Sequence, residues 1–583
     1  MKKIITYLFA ATLPLSVVAQ DVAQKTKRED REPEAATGFH FKKAAIGNKF
    51  MVAAANPYAV KAGHAILAKG GSAIDAAIAV QAVLTLVEPQ SSGIGGGAFI
   101  MHYDKKMDHL TTFDGRETAP SKANSELFLD KNGNAVRWID AVVGGRSVGV
   151  PGVLAALAKA HKTKGNLPWN MLFDDAIALA ENGFIVSPRL EMLLSKKFNP
   201  GVHQMPGTKE YFFPNDQVIK AGTNKKNPEL SQFYKQLAKE GVSAFYSGEN
   251  ANKIATTVQN SKVAPGILTV GDIKQYQAKE RQAVCAPYHE YKVCSMGPPS
   301  SGGVALLQIL RLLEDKNLSQ YAVNDVKALH YFTQASRLAF ADRDVYMADP
   351  DFASIPVNEL LAPKYITKRA ALITQNDMGK VNAGEPVQNL AYAIDDAYEM
   401  PSTSHISIVD AKGNAISMTT SIEMAFGSTL MVNGYLLNNQ LTDFALSPKK
   451  NGLEVINRVE PNKRPRSSMS PVMVFNKDGS LRLVIGSPGG SRIINYVAQA
   501  VIGILDWKLS AQDAINMPRI TNRNRYTSLE NKTQLASKAA DFENLGHTVK
   551  IVDLNSGIHA VELIKSKLYG AADPRREGIA LSE

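Results

Sequence analysis

Apolar positions recur along this chain in two rhythms. From Ala73 to Leu86 nearly every residue is Ala, Ile, Val or Leu, broken only by Asp75, Gln81 and Thr85. A run that is apolar on every side predicts a helix that must be buried. Ser72, with Asp75 three residues on, supplies a capping-box start for it. Just upstream, Asn56-Pro57 marks another helix start, with Pro tolerated at the first helical position, and Gly70-Gly71 marks its stop. After Gly93–Gly97 the rhythm changes to strand runs: Ala98 to Tyr103, a turn at Asp104-Lys105-Lys106, and a second run ending at Phe113. The C-terminal part repeats this pattern. Ser404 to Asp410 and Ala415 to Ser421 flank Lys412-Gly413-Asn414, and Val472 to Phe475 and Leu481 to Ile485 flank Lys477-Asp478-Gly479. Tight turns of this kind join antiparallel strands. Gly486 to Gly490 then leads into an apolar helix from about Arg492 to Leu505, and the middle of the chain, from about Leu154 to Asp349, is mostly helical, as in Val326 to Met347. Antiparallel sheets buried between helical layers satisfy both sheet faces, so the expectation is an α+β body of four layers.

Composition is ordinary for a globular protein: 583 residues, 45% hydrophobic and 21% charged, too long for one small domain. Residues 1–19 read as a secretory signal: Lys2 and Lys3, an apolar stretch from Ile4 to Val18 holding Pro14, and a small-residue end at Ala19. Residues 20–47 are rich in charge and read as a mobile leader, with the folded body expected from Asn48. No later window reaches the roughly 20 apolar residues of a membrane span, and no cysteine stands near the signal to take a lipid. The expected location is periplasmic or secreted. Cys285 and Cys294 have the spacing of two hairpin arms, which fits either a disulfide in an oxidising compartment or two buried thiols. The net charge of +11 is dispersed and reads as a solvated basic surface, with no nucleic-acid partner. The 11 His are scattered without a His-x-x-x-His pair, so no metal and no other cofactor is expected.

Thr403 is the residue with the most chemistry in its position. It stands in Pro401-Ser402-Thr403-Ser404-His405, at the head of a strand. A threonine hydroxyl becomes a useful nucleophile when a base lies beside it. A cut before Thr403 would supply that base as its own α-amine, with a reference pKa of roughly 7.7 to 8. Threonine is also common at strand ends, and the ten residues around it leave both readings open.

A series of motifs in one order decides between them: Asp75-Ala76-Ala77, Gly93 to Gly97, Phe113-Asp114-Gly115-Arg116-Glu117, Gly149-Val150-Pro151-Gly152 and Gly297 to Gly303. After Thr403 follow Leu437-Asn438-Asn439-Gln440, Asp443-Phe444, Pro461 to Pro465, Ser467 to Pro471, Gly486 to Arg492 and Asp573-Pro574-Arg575. Together they resemble the gamma-glutamyltransferase family, also called gamma-glutamyltranspeptidase or glutathione hydrolase, over nearly the whole mature chain. The resemblance implies a four-layer αββα N-terminal-nucleophile hydrolase sandwich with an additional helical region. It implies a precursor that cuts itself between Ser402 and Thr403 into a large subunit, 48–402, and a small one, 403–583. The Thr403 hydroxyl would then take the γ-glutamyl group of glutathione and related compounds as an ester and pass it to water or to an amino acid or peptide amine.

The resemblance also implies roles for single residues. Arg116, with Ser467 and Ser468, would hold the substrate's α-carboxylate; Asp443 and Gln440, with Glu423, would meet its ammonium; Gly489 and Gly490 would form the oxyanion hole; Ser421 would touch the nucleophile. Read from the residues alone, Arg116 is also a fair ion-pair partner for Asp114 or Glu117, and the glycine loop a plain turn. Gly93–Gly97 lacks the Lys-Ser/Thr ending of a phosphate loop. His405 is expected to serve structure or processing. The segment between Phe444 and Pro461 holds no aromatic residue, so a short, open lid is expected. Two rival readings remain: a β-lactam side-chain (glutaryl) acylase of the same fold, and an exported binding protein that never cuts itself.

Overall fold

Alternate residues of the central strands face different cores. In the computed structural model of the protein, which describes residues 34–583 except 389, 391 and 401, strand Met51–Ala54 turns Val52 and Ala54 into one apolar cluster and Met51 and Ala53 into another. Strand Val472–Phe475 does the same, with Val472 and Val474 on one side and Met473 and Phe475 on the other. Strands with this period of two and apolar residues on both faces must be covered twice. Here two seven-stranded antiparallel sheets cover each other on one face and helices cover the other. The cluster between the sheets holds Met51, Met101, Tyr103, Met473, Phe475 and Val484.

The first sheet runs in the order Ala45–Gly47, Lys567–Ala572, His559–Ile564, Leu481–Gly486, Val472–Phe475, Tyr291–Ser295, Val284–Tyr288. The second runs Ile579–Ser582, Met51–Ala54, Ser404–Val409, Ala415–Ser421, Gly97–Asp104, His109–Gly115, Lys279–Arg281. Helices Pro57–Ala68 and Ala73–Val87 share a core with the second sheet. Helices Gly302–Leu313, Val326–Tyr346 and Ile493–Leu505 share one with the first. These are the four expected layers.

The helix starts follow their local signals. The Asn56 side chain accepts from the Tyr58 N–H, and Ser72 and Asp75 cap each other's main chain reciprocally. All 15 residues of Ala73–Val87 are buried, because a further set of helices, among them Val153–Lys164 and Pro228–Glu240, closes over the side away from the sheet. Tyr234 anchors that layer by donating to the Ala82 carbonyl at 2.8 Å.

One expectation changes. The secretory signal, 1–19, and residues 20–33 of the leader lie outside the described residues. The rest of the segment read as a leader, 34–47, is part of the body: Ala45–Gly47 pairs with Lys567–Ala572, and Lys42 Nζ donates to the carbonyls of Asp573 and Arg576 at 2.8 and 2.6 Å. One charge of that segment is internal. Glu34 is fully buried and its carboxylate meets Arg189 at 2.9 Å and Arg576 at 2.7 Å. The cysteine alternatives close on the disulfide, since Cys285 and Cys294 stand directly opposite on paired strands and are bonded. Between Phe444 and Pro461 the chain forms a small exposed hairpin, Lys449–Lys450 with Leu453–Glu454. Among the described residues no helix is long and apolar enough to cross a membrane.

Candidate active site

The register of one hairpin sets the geometry. Ser404 pairs with Thr420, so the next positions outward, Thr403 and Ser421, face each other at the sheet's end, and Thr403 Oγ1 donates to Ser421 Oγ at 3.1 Å. Thr403 has φ of 101°. A β-branched residue avoids this region, and holding it there costs on the order of 1–3 kcal/mol. Its amide follows the Ser402 carbonyl, which accepts the Gly489 N–H at 3.1 Å. Ser402 Oγ in turn donates to Glu34 Oε1 at 2.8 Å.

Gly489 and Gly490 turn the chain from strand Leu481–Gly486 into helix Ile493–Leu505. Both have positive φ, and a Cβ on Gly490 would lie 2.6 Å from the Met400 carbonyl, so glycine alone allows this approach. N–H groups at such a helix entrance favour a negative oxygen.

Arg116, Thr403, Ser421, Glu423, Gln440, Asp443, Ser467, Ser468 and Gly490 line one pocket, of about 270 Å³ with its open mouth included. Every residue expected of the site is on its wall except Gly489, which stands behind it on the Ser402 carbonyl. Arg116 is fully buried; it donates to Asp443 Oδ2 at 2.5 Å and to the carbonyls of Arg466 and Pro465 at 2.7 and 3.1 Å. Gln440 Nε2 donates to the same Asp443 oxygen at 2.8 Å. Asp443 Oδ1, Gln440 Oε1 and both Glu423 oxygens have no hydrogen-bond partner among the described residues. Buried acceptors left this way mark a place for a donor that is not part of the chain. Burial, with Asp443 nearby, pushes the Glu423 carboxyl well above the usual range, and burial raises Asp443 against the opposing pull of Arg116.

His405 is not aimed at the nucleophile. Its ring nitrogens meet Thr419 Oγ1 at 2.9 Å and Ser407 Oγ at 3.0 Å, and burial, with His559 near, keeps it neutral. No residue of the 445–460 hairpin lines the pocket.

Sequence reasoning missed four charged residues here. Glu399 and Met400, just ahead of Ser402, are on the pocket wall. The Glu399 carboxylate accepts from Arg343, Ser468 and Arg466, and Glu34 touches Ser402 from the other side. Arg466 stands between Pro465 and Ser467, the single residue separating two motifs already singled out, which was the one available signal. Arg343 looks like a solvated charge on an amphipathic helix.

A pair of stacked sheets between helices, with a strained threonine at a strand end facing a glycine turn, defines an α+β N-terminal-nucleophile hydrolase fold. Residues 59–582 match the gamma-glutamyltranspeptidase family, and the chain belongs to it. The glutathione hydrolase proenzyme of Bacillus subtilis (strain 168) is 35% identical over 93% of this chain and 92% of that protein. That of Escherichia coli (strain K12) is 34% identical over 90% of each. The crystal structure of a cephalosporin acylase from Bacillus halodurans superposes with a TM-score of 0.82 at 25% identity, covering 95% of this chain and 99% of that one.

Proposed function

We propose that the protein is an exported, self-cleaving gamma-glutamyltransferase with Thr403 as its nucleophile. The observation that carries this reading is a pair of contacts at one peptide: Thr403 Oγ1 on Ser421 Oγ, and the preceding Ser402 carbonyl on the Gly489 N–H. In the precursor the Thr403 oxygen attacks the Ser402 carbonyl carbon, and Gly489 N–H stabilises the oxygen that gains charge. The C–N bond breaks, the nitrogen takes the hydroxyl proton, and water opens the resulting ester. The products are a Ser402 carboxylate and a free Thr403 α-amine.

The same centre then works on substrate. The α-amine takes the Thr403 hydroxyl proton, the oxygen attacks the γ-carbonyl, and the leaving amine departs with that proton. A γ-glutamyl ester remains, which water converts to glutamate and an amino acid or peptide amine converts to a transfer product. Glutathione is the natural class of donor, since both the ammonium and the carboxylate of its glutamyl head find counterparts. The unpaired oxygens of Glu423, Asp443 and Gln440 suit the ammonium. Because the 445–460 hairpin stands clear of the pocket, long γ-linked chains should be tolerated. Intact-mass analysis of wild type and Thr403→Ala, with γ-glutamyl-p-nitroanilide turnover of both, tests the reading. Wild type is expected to split into two chains, the smaller beginning at Thr403, and to turn over. The variant is expected to stay whole and silent; a cut or active variant overturns it.

The similarity to a cephalosporin acylase supports a second reading, removal of a glutaryl side chain from a β-lactam. A glutaryl chain has a distal carboxylate and no ammonium, so it would leave Glu423 and Asp443 facing methylene groups. Faster turnover of a glutaryl cephalosporin than of γ-glutamyl-p-nitroanilide would favour it.

A further inference from the structure

The segment that reads as a leader delivers a buried carboxylate to the peptide ahead of Thr403. Glu34 and Ser402 are both fully buried, and Ser402 Oγ donates to Glu34 Oε1 at 2.8 Å. Ser91 Oγ donates to the same oxygen at 2.8 Å. The other oxygen, Oε2, accepts from Arg189 Nη2 at 2.9 Å and Arg576 Nη1 at 2.7 Å. Each oxygen of Glu34 thus takes two bonds, which fixes the orientation of the carboxylate. Its main chain is tied as well: Asn555 Nδ2 donates to the Glu34 carbonyl, and Arg189 Nη1 donates to the Ala35 carbonyl at 2.8 Å.

Two guanidinium groups are enough to pair one buried carboxylate, yet here its second oxygen is turned to Ser402. That contact completes a three-point hold on one peptide. Ser402 Oγ is on Glu34, the Ser402 carbonyl is on the Gly489 N–H at 3.1 Å, and Thr403 Oγ1 is on Ser421 Oγ at 3.1 Å. Thr403 sits between them at φ of 101°, a conformation that a β-branched residue leaves as soon as its surroundings let it. Attack by the Thr403 oxygen needs the face of the Ser402 carbonyl carbon kept toward it, and a turn of Ser402 would lose that face and the Gly489 contact together. The alternative acceptor for Ser402 Oγ, the Gln90 carbonyl at 3.3 Å, is farther and uncharged, so it holds less firmly. Glu34 is not on the wall of the pocket that Thr403 shares with Arg116 and Asp443.

Resting on the self-cleavage reading above, we propose that Glu34 is a positioning residue for the cut: it acts through Ser402, holding the strained peptide to the Thr403 hydroxyl, and takes no part in holding substrate. Its own partners come from helix Pro188–Ser195 and from the stretch after strand Lys567–Ala572. The carboxylate is seated only when these distant pieces have docked, so the cut follows completion of the fold.

The test follows cutting of the full chain made by cell-free synthesis, read as the cut fraction on a denaturing gel with time. Losing a hydrogen bond to a charged group corresponds to roughly a 10- to 150-fold effect, and Ser402→Ala and Glu34→Gln are each expected to slow the cut by about that factor. The double variant is expected to be within about twofold of the slower single one, since both changes remove the same contact. Turnover of γ-glutamyl-p-nitroanilide per cut chain is expected to change far less than the cutting rate in Glu34→Gln. Where Glu34→Gln does not accumulate folded, Glu34→Asp takes its place, because it keeps a charge between Arg189 and Arg576 and draws it back from Ser402. Cutting of Ser402→Ala within about twofold of wild type, multiplied effects in the double variant, or an equal loss in cutting and in turnover per cut chain each overturns the proposal. A wild type that stays whole overturns the self-cleavage reading itself.

Discussion

Replacing Ser421 by alanine removes one oxygen from the pocket. That oxygen accepts from Thr403 Oγ1 at 3.1 Å and from the Glu423 N–H at 2.8 Å. The first bond is neutral and contributes about 0.5–1.5 kcal/mol, which, carried wholly into the barrier, slows both self-cleavage and turnover roughly 2- to 13-fold. The second loss leaves a buried N–H unpaired, at about 1–3 kcal/mol. Glu423 sits at φ of 75°, so its loop has strain to release and its carboxylate would drift from the ammonium corner. With only part of the second cost carried into the barrier, the expected slowing is about 10- to 100-fold, with Ser421→Thr restoring most of it because the hydroxyl is kept. The fraction of cut chain on a denaturing gel at fixed times after induction reads the first reaction, and p-nitroanilide release reads the second. Cutting and turnover both within about twofold of wild type in Ser421→Ala would refute the reasoning.

Three further outcomes follow from the same geometry. The Glu423 carboxyl is raised by burial and by Asp443, and an ammonium prefers its ionised form, so KM for γ-glutamyl-p-nitroanilide should fall as pH rises above the ordinary carboxylate range, and Glu423→Gln should flatten that profile. A raised folded-state pKa gives stability that is full below the unfolded pKa and lost as pH rises through the folded one, so Glu423→Gln should melt higher than wild type at about pH 9 but not at about pH 5. Glu34→Ala leaves Arg189 and Arg576 without their shared carboxylate and Ser402 Oγ with only the more distant Gln90 carbonyl, at 3.3 Å; a loss of about 3–5 kcal/mol in urea unfolding is expected, with slower cutting. Cys285→Ser opens a cross-link of sequence separation 9, worth roughly 2.5 kcal/mol by chain entropy, and should lower the thermal midpoint by about 2 °C for a protein of this length.

What could be read from the sequence was what neighbours decide. Asn56-Pro57 and Ser72 with Asp75 start helices because the capping contacts lie within three residues. The turn residues at Lys412-Gly413-Asn414 fix a hairpin register, and through it the meeting of Thr403 with Ser421. The order of strands was not legible, because Met51–Ala54 pairs with Ile579–Ser582 across almost the whole chain. Glu34 fell within the segment read as a mobile leader because its neighbours are charged, whereas its partners, Arg189 and Arg576, are supplied from far along the chain. Arg343 and Glu399 were invisible for the same reason, and Arg466 was marked only by its place between two motifs. The positive φ of Thr403 also leaves no trace in composition, since only the closed sheet end imposes it.

The interleaving of the two sheets has a consequence for lifetime. Strand Met51–Ala54 is bonded on one side to Ser404–Val409 and on the other to Ile579–Ser582, so a cut after Ser402 leaves a strand of one fragment clamped between two of the other. The fragments could part only by dismantling a sheet that is buried on both faces. Once apart, they would have to find each other again at a rate that depends on their concentration. Such a cut would turn one chain into a pair, and the pair's persistence would be governed by how slowly that sheet opens rather than by an equilibrium between folded and unfolded forms.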